Sequence, residues 1–356
     1  MPKKNKIKVC YFGFYNPDYS RNRELIRGLK ENGVEVIECK QNPKEKNKYW
    51  NLFKKHRKIK DYDLMIVGFR GQAVMPLAKL ISRKPIVFDA LTSLYDSNIV
   101  DRKSYPFYHP KALKYWFLDW FSCFLADKVL TEAEEANKYF VRNFKIRKDK
   151  FKKILLGSGD EIFYPRSKQK KTEKFLVHFH GIFIPIQGTE YMVQAAKILE
   201  KDNIEFNLIG KGLMYEKAVK LSEELSLKNI HFINFLPHKE LVKYIVKADV
   251  CLGFFGLNAR AKRCGAIKVA ETLAMGKSLI TSNTPVMREF LKNRENCLLC
   301  NIADAKDLAK KILELKNNSK LRKKIAENGR KLYEEKLTPK VLGKELKDVL
   351  EEFLID

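Results

Sequence analysis

Short apolar runs alternate along the chain with stretches whose apolar positions fall three or four residues apart, the periods of strand and helix. In the first half, residues 7–12, 34–39, 64–67, 85–88 and 129–131 read as strands, and 24–32 as a helix stopped by Gly33. The pattern restarts near residue 175. Strands are expected at 175–179, 204–209, 231–235, 250–254 and 278–281, with helices at 190–201, 216–225, 239–247 and 267–275 between them. Such alternation predicts α/β architecture with doubly wound parallel sheets. The basic segment 165–174 has no apolar run and reads as a linker between two domains, 1–168 and 169–337, facing each other across a cleft. Residues 338–356 form a last amphipathic helix. No simple internal repeat is visible.

Ligands of such sheets bind beyond the carboxyl ends of the strands, so the loops there are where chemistry is sought. Four in the second half share a theme. Gly181 and Gly188 flank the first, before a helix start; Gly210, Lys211 and Gly212 form the second. Gly256 opens the third, which carries Arg260, Lys262 and Arg263, and the fourth is a helix with Lys268 in its first turn and Glu271 about a turn on. Singly, each is ordinary: glycine turns, a solvated basic loop, an i,i+3 surface pair. Together they describe an anion at helix N-termini, cations beside it, and a carboxylate for sugar hydroxyls.

At 356 residues and 45% hydrophobic, the chain can bury a large core, which excludes wholesale disorder. Seventy Lys and Arg against 43 Asp and Glu give a net charge of +27, narrowing partners to polyanions, anionic membranes or phosphorylated small molecules. No uncharged apolar run is long enough to span a bilayer, since 113–130 is broken by Lys114, Asp119, Asp127 and Lys128. The N-terminus lacks the separate apolar helix of a signal peptide. Seven cysteines, mostly within apolar runs, suit buried thiols in a cytoplasmic protein. Cys297 and Cys300 form a lone CxxC, read as part of a buried strand. His178 and His180 share a strand face without a carboxylate or Cys at ligand spacing, so no metal site is expected; His180 borders Gly181 and the ligand.

The ordered runs GIFIPIQGTEYMVQAAKIL, FNLIGKG, FLPHKELVKYIVKADVCLGFFG and KVAETLAMGKSLITSNTPVMREFL resemble the donor half of GT-B glycosyltransferases, family 4 (group 1). YFGFYNPDYSRNRELIRGLKENGVEV and PIVFDALTSLYDS match the other half more loosely. The resemblance implies two Rossmann-like domains and a final helix returning to the first. It also implies transfer from a UDP- or GDP-linked sugar with retention, no obligatory metal, and no cofactor beyond that donor.

Carried over residue by residue, Glu271 matches the second glutamate of the family's E-x7-E motif, which holds the donor ribose. The first falls on Arg263, and the Arg-Lys pair that grips the diphosphate falls on Ile182 and Gln187. Arg263 and Lys268 are therefore expected to supply the phosphate charge, with backbone N–H groups near Gly181 and Gly188. In the first domain, Arg21 is expected to meet phosphate, or else to lie in solvent as a cap-region charge. Asp89 is expected to orient donor sugar or acceptor hydroxyl, with Ser93 beside it; helix capping is the rival reading. Arg70 is a weaker candidate.

Residues 44–60 hold eight Lys and Arg and a single acid, interrupted by Tyr49, Trp50, Leu52 and Phe53, the profile of an amphipathic helix on an anionic membrane. Residues 142–153 are similarly basic. The aromatic run 115–125 reads either as burial against the sheet or as a greasy acceptor groove. These features suit a glycan or lipid-linked acceptor at the inner membrane face; solvated lysine-rich helices are the alternative. A non-catalytic nucleotide-sugar binder and a nucleic-acid binder are the rival functions, and the second shows no recognisable motif.

Overall fold

The computed structural model describes residues 6–167 and 173–354. The chain runs β1 (Lys8–Gly13), α1 (Ser20–Glu31), β2 (Glu35–Lys40), α2 (Lys48–His56), β3 (Leu64–Val67), α3 (Met75–Ile81), β4 (Ile86–Leu91), α4 (Pro110–Leu125), β5 (Lys128–Thr131), α5 (Glu134–Phe144) and β6 (Phe151–Lys153). It continues with β7 (Phe175–Ile182), α6 (Thr189–Ile198), β8 (Ile204–Lys211), α7 (Tyr215–Glu224), β9 (Ile230–Ile233), α8 (His238–Lys247), β10 (Val250–Leu252), α9 (Ile267–Ala274), β11 (Ser278–Ser282), α10 (Pro285–Arg288) and β12 (Leu298–Cys300). Three helices finish it: α11 (Ala305–Asn317), α12 (Ser319–Lys336) and α13 (Pro339–Glu351).

One compact unit comprises Met1–Ile99, Lys103–Gly157 and Thr338–Asp356; the other comprises Val100–Arg102 and Ser158–Leu337. The division between them thus falls before the expected 168/169. That position, and the middle of the expected linker, lie outside the described residues. The tripeptide Val100–Arg102 had no sequence signal to separate it from its neighbours.

The first unit holds a six-stranded sheet in the order β2-β1-β3-β4-β5-β6, parallel throughout. Its central strands are apolar on both faces because helices cover both. Cys10, Phe12, Met65, Val67 and Phe88 point to the side that buries Leu52, Ala78, Cys123 and Phe140. Val9, Tyr11, Leu64, Ile66 and Val87 point to the other, against Leu25 and Leu29 of α1 and Leu342, Leu346 and Leu350 of α13. α1 and α13 cross at Gly28 and Gly343; a Cβ on Gly343 would lie 2.0 Å from the Gly28 carbonyl carbon, so only glycine fits.

The second unit repeats the scheme with a parallel sheet ordered β12-β11-β10-β7-β8-β9. Phe179, Phe206 and Leu208 pack with Met192, Leu308 and Ile312. The direction of strand addition reverses between β7 and β10, the switch point at which open α/β sheets bind ligands. β7 is longer than the 175–179 expected, and the added residues include His180 and Gly181. Cys300 lies in β12 and Cys297 just before it, both buried.

Candidate donor site

At the carboxyl end of β7, three side chains form a buried chain. His178 Nε2 lies 2.9 Å from His180 Nδ1, and His180 Nε2 lies 2.7 Å from Glu271 Oε2 on α9. Burial pushes the Glu271 carboxyl up, but the bond and charge of His180, with His238 and Lys268 behind it, more than offset this and hold it below the usual range. An ionised carboxylate only accepts, so His180 carries the proton on Nε2. Burial keeps His178 well below the usual imidazole range, hence neutral. Its Nδ1 is buried with no partner.

Lys268 stands one turn before Glu271, also buried. Its Nζ bonds the Gln187 side-chain oxygen and lies 4.1 Å from the Phe179 ring centroid. Burial lowers its pKa to about 7, with Glu271 pulling the other way. A Cβ on Gly181 would fall 2.7 Å from this Nζ. Gly181, Gln187, Lys268 and Glu271 are therefore brought together, as expected, and His180 joins them as the group that holds the carboxylate.

The other glycines have packing reasons. Gly188, at φ 62°, abuts Gly256: a Cβ there would sit 2.5 Å from the Gly256 nitrogen. Gly256 N–H donates to Ile186 O and Phe255 N–H to Gln187 O, so the loops after β7 and β10 meet backbone to backbone. Gly210 and Gly212 let the end of β8 pass the Gly181 and Phe183 carbonyls, with a Cβ on Gly210 falling 1.9 Å from Gly181 O. Lys211 is exposed and lies 5.0 Å from the Phe235 ring centroid.

Arg263 Nη1 donates to Ala259 O within its own 3-10 turn. The buried cation of that loop is instead Arg260, whose Nη1 lies 3.0 Å from Asp101 Oδ2. The other oxygen of Asp101 accepts from Ile186 N–H at 2.9 Å and from Asn258. Asp101 thus ties the two loops together, a role its surroundings in sequence (NIVDRKS) do not signal.

In the first unit, Arg21 and Asp89 are corrected. They form a buried bidentate pair, Nε to Oδ2 at 3.0 Å and Nη2 to Oδ1 at 3.1 Å. Arg21 Nη1 also donates to the Ile154 and Leu155 carbonyls. Neither charge is available to phosphate, donor sugar or acceptor without breaking a buried pair, a loss of about 3–5 kcal/mol. Ser93 is engaged too: its hydroxyl donates to Asp119 at 2.6 Å and accepts from Asp96 N–H. Ser93 thus caps the turn that follows it, whereas Asp89, for which capping was the rival reading, pairs with Arg21. Arg70 lies over the Phe69 ring.

Comparison with known proteins bears on this arrangement. Residues 160–332 match the family Glycosyl transferases group 1. An uncharacterized glycosyltransferase of Methanocaldococcus jannaschii is 30% identical over 152 residues, 43% of this chain; the chain spans only 41% of that relative. CapM of Staphylococcus aureus, a capsular polysaccharide biosynthesis glycosyltransferase, is 23% identical over 263 residues, covering 68% of this chain and 67% of CapM. Among solved structures, Anabaena HepE in complex with UDP and glucose matches with a TM-score of 0.74 and 14% identity, over 97% of this chain and 99% of HepE. That likeness is one of fold: two parallel-sheet α/β domains of the GT-B kind.

Proposed function

On the match of residues 160–332 to Glycosyl transferases group 1, we propose that the protein transfers a sugar from a nucleotide-sugar donor to a glycan or lipid-linked acceptor. The donor is UDP- or GDP-linked, and the transfer retains anomeric configuration without a metal. The observation that carries this reading is Glu271, a carboxylate held ionised in a buried position at the switch point by a histidine. Its Oε2 is engaged by His180, and Oε1 accepts from the donor ribose. Lys268 moves from the Gln187 oxygen to the diphosphate, where its charge offsets that developing on the leaving group. Gly181, without a side chain, leaves that path open. The capsular polysaccharide role of CapM and the UDP and glucose held by HepE support these substrate classes.

The test is thermal unfolding against a panel of UDP, GDP and their sugars. One nucleotide series is expected to stabilise the protein, by about 2.7 kcal/mol at a hundred times Kd. Glu271→Gln is expected to weaken that nucleotide about tenfold or more, the value of a charge-assisted hydrogen bond. No stabilisation by any nucleotide would end the proposal. A second reading, donor binding without transfer, is favoured by the locked Arg21–Asp89 pair, which removes the expected catalytic carboxylate. Release of nucleotide from the stabilising sugar donor with acceptor present distinguishes the two.

A further inference from the structure

Helix α4 buries little apolar surface for its length, with Trp120 and Leu125 packing only partly against the core. Its buried residues are Ala112, Asp119, Ser122 and Cys123, small or polar. The side facing solvent is aromatic: Trp116 is 38% exposed, Phe117 48% and Phe124 56%. Leu113 extends the same stripe, and Phe107 and Tyr108 just upstream are exposed as well. The rings support one another, with Phe117–Trp120 at 5.7 Å and Trp120–Phe124 at 5.6 Å between centroids. The stripe runs the length of a 16-residue helix, about 24 Å. Such a continuous apolar ridge on a protein surface marks an interaction site.

The charges around it select the partner. Lys103, Lys111 and Lys114 lie on α4 or in the segment before it. The single carboxylate of residues 102–126, Asp119, is turned inward, accepting from Ser93 and from Leu94 and Tyr95 N–H. At the far end, Lys150 Nζ bonds the Phe124 and Ala126 carbonyls, and Lys145, Arg147 and Lys148 occupy the same turn region. Trp116 stands 5.6 Å from Phe144, which ties that turn to the ridge. The acids nearby, Asp127 and Asp149, face Lys79 and Arg147. A second copy of the chain docked on this face would bring its cations against those of the first, so self-association there is opposed by repulsion. Aromatic rings flanked by Lys and Arg match the headgroup boundary of an anionic bilayer.

We infer that α4 docks the protein on anionic membrane, its aromatic ridge entering the headgroup–acyl boundary and the flanking cations meeting lipid phosphates. Among the described residues no helix is long and apolar enough to cross a membrane. The inference does not depend on the donor-site reading, because the assay contains no nucleotide.

The full chain is sedimented with vesicles of phosphatidylglycerol and phosphatidylcholine, and with phosphatidylcholine alone, at about physiological salt, where surface charges are screened beyond about 8 Å. Wild type is expected to bind the anionic vesicles at least several-fold better. Phe117→Ser with Phe124→Ser should weaken that binding about tenfold or more, from the lost apolar burial. Thermal unfolding of the double variant confirms an intact fold, since both rings lie on the surface. A Trp50→Phe background leaves Trp116 and Trp120 as the fluorescent residues, and their emission should shift to the blue on anionic vesicles. Equal binding by wild type and the double variant would overturn the inference. So would absence of binding, or a wild-type dimer that the double variant converts to monomer.

Discussion

Lys268 is a cation in a place that resists cations. Burial draws its pKa down to about 7, so at pH 8 most empty sites hold a neutral amine. An incoming diphosphate reverses the balance by favouring the ammonium form. The sign follows: binding takes up a proton above pH 7, and affinity falls as pH rises towards 9. Calorimetry of nucleotide binding at pH 8, in two buffers of different ionisation heat, should show uptake of about one proton, and Lys268→Met should abolish it. Uptake unchanged in Lys268→Met would remove the lysine from the diphosphate site. His180 has a complementary part. It fixes which Glu271 oxygen faces outward, a positioning role that its place beside Gly181 only hinted at in the sequence.

Among the elements, the α1–α13 crossing is the tightest seam. Gly28 and Gly343 bring the helices into backbone contact, and Leu342, Leu346 and Leu350 then seal the sheet face behind α1. Gly343→Ala is expected to cost about 1–3 kcal/mol or more by overpacking. It should also open Lys340 and Lys344 to trypsin, which mass spectrometry would read; protection equal to wild type would show that the seam yields without cost. Elements of this kind were legible in the sequence: nearly every strand of both sheets, the stop at Gly33, and the grouping of Gly181, Lys268 and Glu271 after their strands. What escaped was pairing across long sequence distance. Arg21 and Asp89 each read as ligand groups because nothing in a linear pattern shows that they meet each other. Asp101 escaped for the same reason. In α4 the period of the apolar stripe was clear, yet which side faced the sheet was settled by Asp119 and its four donors turning inward.

At the scale of the molecule, neither unit is one continuous stretch of chain. Val100–Arg102 belongs with the second unit, and there Asp101 holds Arg260 and the Ile186 N–H. A fragment of residues 158–337 alone leaves that buried guanidinium without its carboxylate, a loss of about 3–5 kcal/mol. It should melt several degrees below the same fragment carrying Arg260→Met; equal melting would show that loss of Asp101 strands no charge at Arg260. The first unit is divided more severely, since α13 follows the whole of the second. During synthesis α1 and the sheet face it shares with α13 have emerged long before α13 leaves the ribosome, and α13's part of that face stays uncovered while some 180 further residues are made. The second unit can finish folding first, and the nascent first unit is the stretch on which a chaperone would have to act.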